Sequence, residues 1–461
     1  MEQKEVMGTD LTQGSMMPVL LKFMFPFLLA NLLNSIYNTV DTIIIGQFVG
    51  SAGTLAVSLG GRMMNMCTMV STALAGGGQI LISQLYGARK RSEVNSAIGT
   101  FFSLTAISSV IIALIGFACA KPILTWMNTP AEAFDAALAY FRITCIGMPF
   151  LFGYNAVSSV LRGMGDSKNP LLFIAIAAAI NLFGDLLFVL VFQMGAAGTA
   201  YATVIGQGVS LIFSLALLYH RREQFGFDFK PRSFRMNSGH LKIILKIGLP
   251  MVLRSCCIQF TQMFLMRYVN LYGVTEATAY AIVNKITQLM SIFSMAIRQA
   301  SGTIVGQNVG AGQQNRVVST VRCSLLLTLG MATVFAAISL LVPTALFRCF
   351  TKDSAVLAYA VPFMQISALL YYCSAVLGSY DSVVTGTGNS VLGFVGGLLD
   401  GVVLRLGFSF LFAWTFDMGV VGFYLGDVLA RLAPIIIDMI YYHSGAWRRY
   451  NLLDQRTSAK C

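Results

Sequence analysis

Charged side chains are scarce in this sequence. Asp, Glu, Lys and Arg make up 11% of its 461 residues, hydrophobic residues make up 56%, and the mean hydropathy is +0.73. A soluble domain carries about 25% charged residues, so this chain has too few to cover a water-facing surface. The composition excludes a soluble globular protein and predicts a membrane protein with many spans.

Histidine is scarce too, with three residues, and the nine cysteines form no C-x-x-C pair. We therefore expect neither a zinc site nor a disulfide framework, and no cofactor beyond a transported ion. The sequence also lacks the phosphate-binding loop GxxxxGK[ST], the HExxH zinc motif and the GxSxG nucleophile motif. These absences argue against an ATP-driven pump and a protease, and we predict that the protein is not an enzyme.

Long apolar runs are abundant. A run of about 20 apolar residues crosses a bilayer as a helix, and glycine, proline and charge clusters divide this chain into twelve such runs. They cover residues 18–45, 55–85, 95–118, 133–161, 168–192, 198–220, 241–271, 277–308, 317–342, 356–384, 391–415 and 420–443. We therefore predict an all-α polytopic membrane protein with twelve transmembrane helices.

The basic residues that give a net charge of +12 concentrate in particular loops. With twelve spans and both termini in the cytoplasm, the inside loops hold Arg89, Lys90, Arg91 and the basic segment 220–246, whereas the outside loops hold few. This distribution follows the positive-inside rule. It predicts a multi-pass protein of the plasma (inner) membrane, in contact with the lipid bilayer, and argues against binding of nucleic acid.

The chain contains an internal repeat. ISQLYGARKRSEV at 82–94 resembles VGQNVGAGQQNRV at 305–317, and Pro26 matches Pro250, with an offset of 223 or 224 throughout. Six helices per repeat enter the membrane from the same side, which predicts two six-helix bundles related by a pseudo-two-fold axis along the membrane normal. We assign an N-lobe with helices 1–6 to residues 1–220, a cytoplasmic basic linker to 221–240, a C-lobe with helices 7–12 to 241–445 and a cytoplasmic tail to 446–461.

Two carboxylates fall inside predicted spans of the N-lobe. Asp41 lies on the first span, with Tyr37 one turn earlier, and Asp185 lies four residues after Asn181 on the fifth, so each pair shares a helix face. Thr203 lies near the start of the sixth span. An acid in a span costs roughly 2.5–3.5 kcal/mol on the insertion scale and commonly serves a function.

Three uses of the acid pair remain open from the residues alone. Close carboxylates repel each other, so the pair can hold a proton near neutral pH. The same oxygens also suit Na⁺, at Asp41, Asn181, Asp185 and Thr203. In the third, structural interpretation the acids only form hydrogen bonds to neighbouring helices. Pro26 frees a backbone carbonyl in the first span and allows a bend there.

The C-lobe spans also carry charges. Asp427 and Arg431, four residues apart, are expected to form an intrahelical ion pair. Asp400 and Arg405 are expected to pair with groups across the cleft. The candidates for the lining of a C-lobe cavity are Lys285, Arg298, Asp381 and Asp400.

Several motifs resemble the multidrug and toxic compound extrusion (MATE) family. They are YNTVDTIIIGQFVG at 37–50, GGGQILISQLYGA at 76–88, LRGMGDSKNP at 161–170, NLFGDLLF at 181–188 and VGQNVGAG at 305–312. The resemblance covers about residues 15–445. It implies a V-shaped antiporter that expels organic cations and other drugs in exchange for H⁺ or Na⁺.

Within that family the sequence resembles the archaeal and DNA-damage-inducible bacterial branch. This resemblance implies a cation-coupling site in the N-lobe at Asp41, Asn181, Asp185 and Thr203, with Tyr37, Tyr140 and Asn155 nearby. Another branch has a glutamate on the seventh helix and an aspartate on the tenth. Here the seventh span has no acid, although Asp381 stands on the tenth, so we do not expect a complete C-lobe cation site.

These observations favour a secondary active multidrug efflux antiporter that acts as a monomer. Protonation or Na⁺ binding at Asp41 and Asp185 is expected to bend the first helix at Pro26 and displace the drug outward. The alternative is a lipid-linked saccharide flippase of the same superfamily, which predicts that Arg142, Arg254, Lys285 and Arg298 converge on a pyrophosphate. A passive channel is disfavoured by the repeat and the acid pair.

Overall fold

The structure is a computed structural model that describes residues 9–127, 129–450 and 452. The regular secondary structure of this part of the chain is helical throughout. The chain forms two compact units. The first contains Leu29–Gly248 with Thr9 and Asp10, and the second contains Leu11–Leu28 and the chain from Leu249 onward.

Long helices make up the first unit. The first helix, α1, begins in the second unit and continues into the first, past Pro26, without a break. The helices as far as the middle of the chain are α1 (Met16–Phe48), α2 (Gly50–Gly87), α3 (Arg91–Trp126), α4 (Ala131–Ile146), α5 (Met148–Gly163), α6 (Lys168–Asp185), α7 (Gly195–His220) and the short α8 (Arg222–Phe225).

The predicted span 133–161 forms two helices instead of one. The helices α4 and α5 meet at an angle of 47° at Gly147. Pro149 lies in the first turn of α5, where the ring is tolerated because the first amides of a helix have no intrahelical partner. Proline is a common cause of such a kink.

The second unit is built from the remaining helices. The helix α9 begins in the first unit and continues into the second after Gly248. The helices are α9 (Ser238–Leu271), α10 (Val274–Gly310), α11 (Gln314–Leu341), α12 (Pro343–Arg348), α13 (Ser354–Leu357), α14 (Ala360–Thr387), α15 (Ser390–Leu398), α16 (Arg405–Phe410), α17 (Gly419–Ala430) and α18 (Leu432–His443).

The structure confirms a helical protein with many candidate membrane spans, but not all twelve. In the described residues, ten helices are long and apolar enough to cross a membrane, or eleven if α4 and α5 form one bent span. The predicted seventh span forms α9, which is not among them. It carries four basic side chains that lower its apolar character, Lys242, Lys246, Arg254 and Arg267. The prediction of a complete twelve-helix, two-bundle layout is therefore not confirmed.

The internal repeat is visible in the backbone. Gly195 and Gly419, 224 positions apart, both have a φ of +55° and open the helices α7 and α17. The π-helical segments Leu186–Val191 and Leu411–Thr415 stand at matching positions just before them. Because φ in this range favours glycine, equivalent turns in the two halves require the same residue.

The segment predicted as a linker is part of the first unit and packs against α3. Phe225 and Phe227 are buried, and the ring of Phe227 contacts that of Phe234 at 5.2 Å between centroids. On α3, Ser103 Oγ donates to the Phe234 carbonyl at 2.6 Å. The aromatic side chains thus hold this basic segment in place.

Candidate functional site

The predicted N-lobe site is assembled from three helices of the first unit. Tyr37 and Asp41 lie on α1, Asn181 and Asp185 on α6, and Thr203 on α7. Small residues allow the close approach of α6 and α7: a Cβ on Gly206 would lie 2.8 Å from the carbonyl oxygen of Ala177, and one on Gly184 would lie 2.9 Å from the Cβ of Ala202. This packing brings the polar face of α6 against Thr203.

The hydroxyl of Thr203 is the hydrogen-bonding centre of the site. It donates to the Thr199 carbonyl at 2.9 Å, which leaves its two lone pairs as acceptors. Asn181 Nδ2 donates to it at 3.1 Å, and the Tyr37 hydroxyl lies 3.4 Å away. These contacts hold the side chains of Asn181 and Tyr37 against α7.

The two predicted carboxylates come together. The carboxyl groups of Asp41 and Asp185 lie close enough to interact electrostatically. The hydroxyl groups of Tyr37 and Tyr140 interact electrostatically with both carboxyl groups. Tyr140 packs against α2, where a Cβ on Gly60 would lie 2.4 Å from its ring. The structure thus places these carboxyl groups, which lie 144 positions apart in the sequence, within electrostatic range of each other.

Three of the four carboxyl oxygens of Asp41 and Asp185 lack hydrogen-bond donors in the described part of the chain. Asp185 is completely buried, and among the described residues neither of its oxygens accepts a hydrogen bond; the same holds for Asp41 Oδ1 and Asn181 Oδ1. Burial of an unpaired carboxylate costs several kcal/mol. Protonation or a bound cation removes this cost, so the site is suited to hold H⁺ or Na⁺.

Asn155 lies apart from this hydrogen-bonded group. It stands on α5, and its Nδ2 donates to Ser71 Oγ on α2 at 3.0 Å. In the described residues, no three side chains of His, Cys, Asp or Glu gather as a metal site.

The second unit contains a different kind of charged site. Asp381 on α14 is held by two guanidinium groups, from Arg254 Nη1 at 3.2 Å and Arg298 Nη1 at 3.7 Å. Asp438 on α18 is buried, and its Oδ2 has no hydrogen-bond partner among the described residues. Its carboxyl group interacts electrostatically with Asp381, Arg254 and Arg298. The spacing of residues in the sequence did not predict this group, because its members come from four helices.

A buried arginine joins the other C-lobe acids. Arg405 Nη2 donates to Asp400 Oδ1 at 3.0 Å, and its Nη1 forms an ion pair with Asp427. Asp400 and Arg405 thus pair with each other, contrary to the prediction that they pair across a cleft. Asp427 also contacts Arg431 at 3.9 Å, as predicted from their spacing.

The four candidates for the lining of a C-lobe cavity lie in different surroundings. Lys285 lines an open cavity of about 570 Å³ beside α10, and Arg298 is partly exposed. Asp381 and Asp400 are buried in ion pairs instead. In the first unit, Arg142 lies over the ring of Phe117 at 5.0 Å.

Comparison with known proteins identifies the family. A family model described as MatE matches residues 26–187 and again 250–411, and the two matches begin 224 positions apart, which supports the internal repeat. The chain is similar to the probable multidrug resistance protein YpnP of Bacillus subtilis (strain 168), at 29% identity over 97% of this chain and 99% of that protein. It is also similar to the probable multidrug resistance protein NorM of Thermotoga maritima, at 23% identity over 94% of each.

Among solved structures, the fold matches an outward-facing conformation of a multidrug resistance MATE family transporter of the MOP superfamily. The TM-score is 0.88 at 20% identity, with 99% of each chain covered. The NorM and YpnP relatives are bacterial, and they do not support the predicted resemblance to the archaeal and DNA-damage-inducible branch. Since the MatE model matches more than half of the sequence, once in each repeat, the chain belongs to the MatE family of transporters.

Proposed function

We propose that this protein is a secondary active multidrug efflux antiporter that exports organic cations and other drugs in exchange for H⁺ or Na⁺. The names of its relatives as multidrug resistance proteins support the drug substrates. We further propose that it acts as a monomer in the plasma membrane, with both termini in the cytoplasm.

The observation that carries the proposal is the set of unpaired carboxyl oxygens at Asp41 and Asp185. A membrane interior supplies no water to solvate them, so each carboxylate needs a counter-charge or a proton. Binding and release of that ion therefore change the energy of the site by several kcal/mol. In an antiporter the energy of the site must depend on ion binding, because the ion gradient must drive the conformational change.

The test is drug efflux from proteoliposomes under an imposed pH gradient or an imposed Na⁺ gradient. We expect one gradient to drive efflux in the wild type, and Asp41→Asn and Asp185→Asn each to abolish it, since an amide does not take up a proton near neutral pH and lacks the negative charge that holds Na⁺. Asp135→Asn is the matched control, because Asp135 is an exposed acid of α4 in the same unit. Full gradient-driven efflux in both Asp41→Asn and Asp185→Asn would contradict the proposal.

The flippase alternative receives less support. It requires free cationic side chains for a pyrophosphate, whereas Arg254 and Arg298 are both engaged with Asp381. Lys285 lies in a separate cavity that neither arginine lines.

A further inference from the structure

A second cavity lies at one end of the second unit, where α11, α14 and α18 meet the turn Ala446–Arg448. Its volume is about 340 Å³, and basic and aromatic side chains line it. The antiporter proposal does not use this cavity. By the predicted topology it lies at the cytoplasmic surface of the membrane.

The guanidinium groups of Arg322 on α11 and Arg448 after α18 border this cavity. Both side chains are exposed, and in the described part of the chain neither forms an ion pair with an acid. Both interact electrostatically with the hydroxyl of Tyr442, so they face the same space. Two positive charges around a concave surface favour an anion that accepts charge-assisted hydrogen bonds.

Aromatic side chains hold the cavity in shape. The rings of Tyr442 and Trp447 are stacked, with centroids 6.3 Å apart and planes inclined by 5°. Trp447 Nε1 donates to the Tyr442 carbonyl at 3.1 Å, and the Arg448 guanidinium lies 5.5 Å from the Trp447 ring. Tyr and Trp are enriched at the level of lipid headgroups, where one side of the ring is apolar and the other is wet.

An apolar surface continues from the cavity along both walls. On α11, Leu326 follows Arg322 by one helical turn on the same face and is 67% exposed. On α18, Ile440 and Ile436 precede His443 on one face and are 62% and 54% exposed. A ligand with an anionic head and apolar chains is complementary to this arrangement, whereas a free phosphate ion leaves the apolar walls exposed.

We propose that this cavity binds the headgroup phosphate of an anionic phospholipid. Arg322 and Arg448 hold the phosphate oxygens, and the acyl chains lie along the exposed apolar faces of α11 and α18. Basic pockets between transmembrane helices on the cytoplasmic side are suited to such headgroups.

The experiment measures the thermal unfolding midpoint of the purified full chain in neutral detergent, with increasing phosphatidylglycerol or phosphatidylcholine. A ligand that binds only the folded state raises the midpoint, so we expect an increase with phosphatidylglycerol alone. Loss of one charge-assisted hydrogen bond weakens binding by about tenfold or more. We expect that effect for Arg322→Gln and for Arg448→Gln.

Arg449→Gln is the matched control. Arg449 is exposed and adjacent to Arg448 but does not line the cavity, and its replacement changes the net charge equally. Lipid-free midpoints identify any variant that misfolds, and Arg322→Lys, which keeps the charge, is expected to recover part of the binding. Equal stabilisation of Arg449→Gln, Arg322→Gln and Arg448→Gln by phosphatidylglycerol would overturn the proposal. So would equal stabilisation of the wild type by phosphatidylcholine or by soluble glycerol phosphate.

Discussion

Replacement of Arg405 by methionine tests how far the second unit depends on its buried ion pairs. The Arg405 side chain is 2% exposed and contacts Asp400 at 3.0 Å as well as Asp427. At an effective dielectric constant near 20, a charge pair at this distance interacts by about 5.5 kcal/mol before the cost of desolvation. Removal of the arginine leaves the buried Asp400 without its ion-pair partner and Asp427 with only the more distant Arg431 at 3.9 Å. A change of this kind costs about 3–5 kcal/mol.

The assay is reversible unfolding of the full chain in mixed micelles, from which the free energy of unfolding is obtained. Arg405→Met is expected to lower it by about 3–5 kcal/mol. The triple variant Arg405→Met, Asp400→Asn, Asp427→Asn is expected to recover most of the loss, because neither buried carboxylate remains and the partly exposed Arg431 can reach solvent. The reasoning is wrong if Arg405→Met loses less than about 1 kcal/mol, or if the triple variant is no more stable than the single one.

Two further substitutions test the packing and the hydrogen bonding described above. Thr203→Val removes the acceptor of Asn181 Nδ2 and should lower the free energy of unfolding by about 1–3 kcal/mol, measured in the same way; an unchanged value would show that the amide finds another partner. Gly426→Ala places a Cβ 2.3 Å from the backbone nitrogen of Ser409, so α17 cannot pack on α16 without a shift, and we expect a marked loss of stability. In the control Gly330→Ala the new Cβ meets nothing within 4 Å. Because this glycine lies in a helix, its replacement should raise the free energy of unfolding by about 0.5–1 kcal/mol. Equal changes in the free energy of unfolding for Gly426→Ala and Gly330→Ala would refute the steric argument.

The two units differ in how most of their buried acids are compensated. In the second unit, Asp381, Asp400 and Asp427 each have an arginine partner. Asp438 is the exception among these described residues, because its Oδ2 has no hydrogen-bond partner, although Arg254 and Arg298 lie nearby. In the first, Asp41 and Asp185 have each other, with tyrosines nearby. Paired charges keep their ionisation state, whereas unpaired buried carboxylates respond to the proton or cation supply. This difference supports the assignment of ion coupling to the first unit.

The sequence by itself determined the class of protein and much of the first site. The scarcity of charge required a lipid-facing surface, and the constant offset of 223 or 224 residues predicted two related halves. The four-residue spacing of Asn181 and Asp185 placed both on one face of a helix, because the helical repeat is 3.6 residues. Composition, the internal repeat and the helical periodicity were sufficient for these predictions.

Only the tertiary structure decided which charges meet. The contacts of Arg254 with Asp381 and of Arg405 with Asp427 join residues 127 and 22 positions apart, and no local spacing encodes them. The hydrogen bond from Asn181 to Thr203 depends likewise on the packing of α6 and α7. Helix periodicity fixes the face on which a side chain lies, whereas the partner on that face depends on how the helices pack.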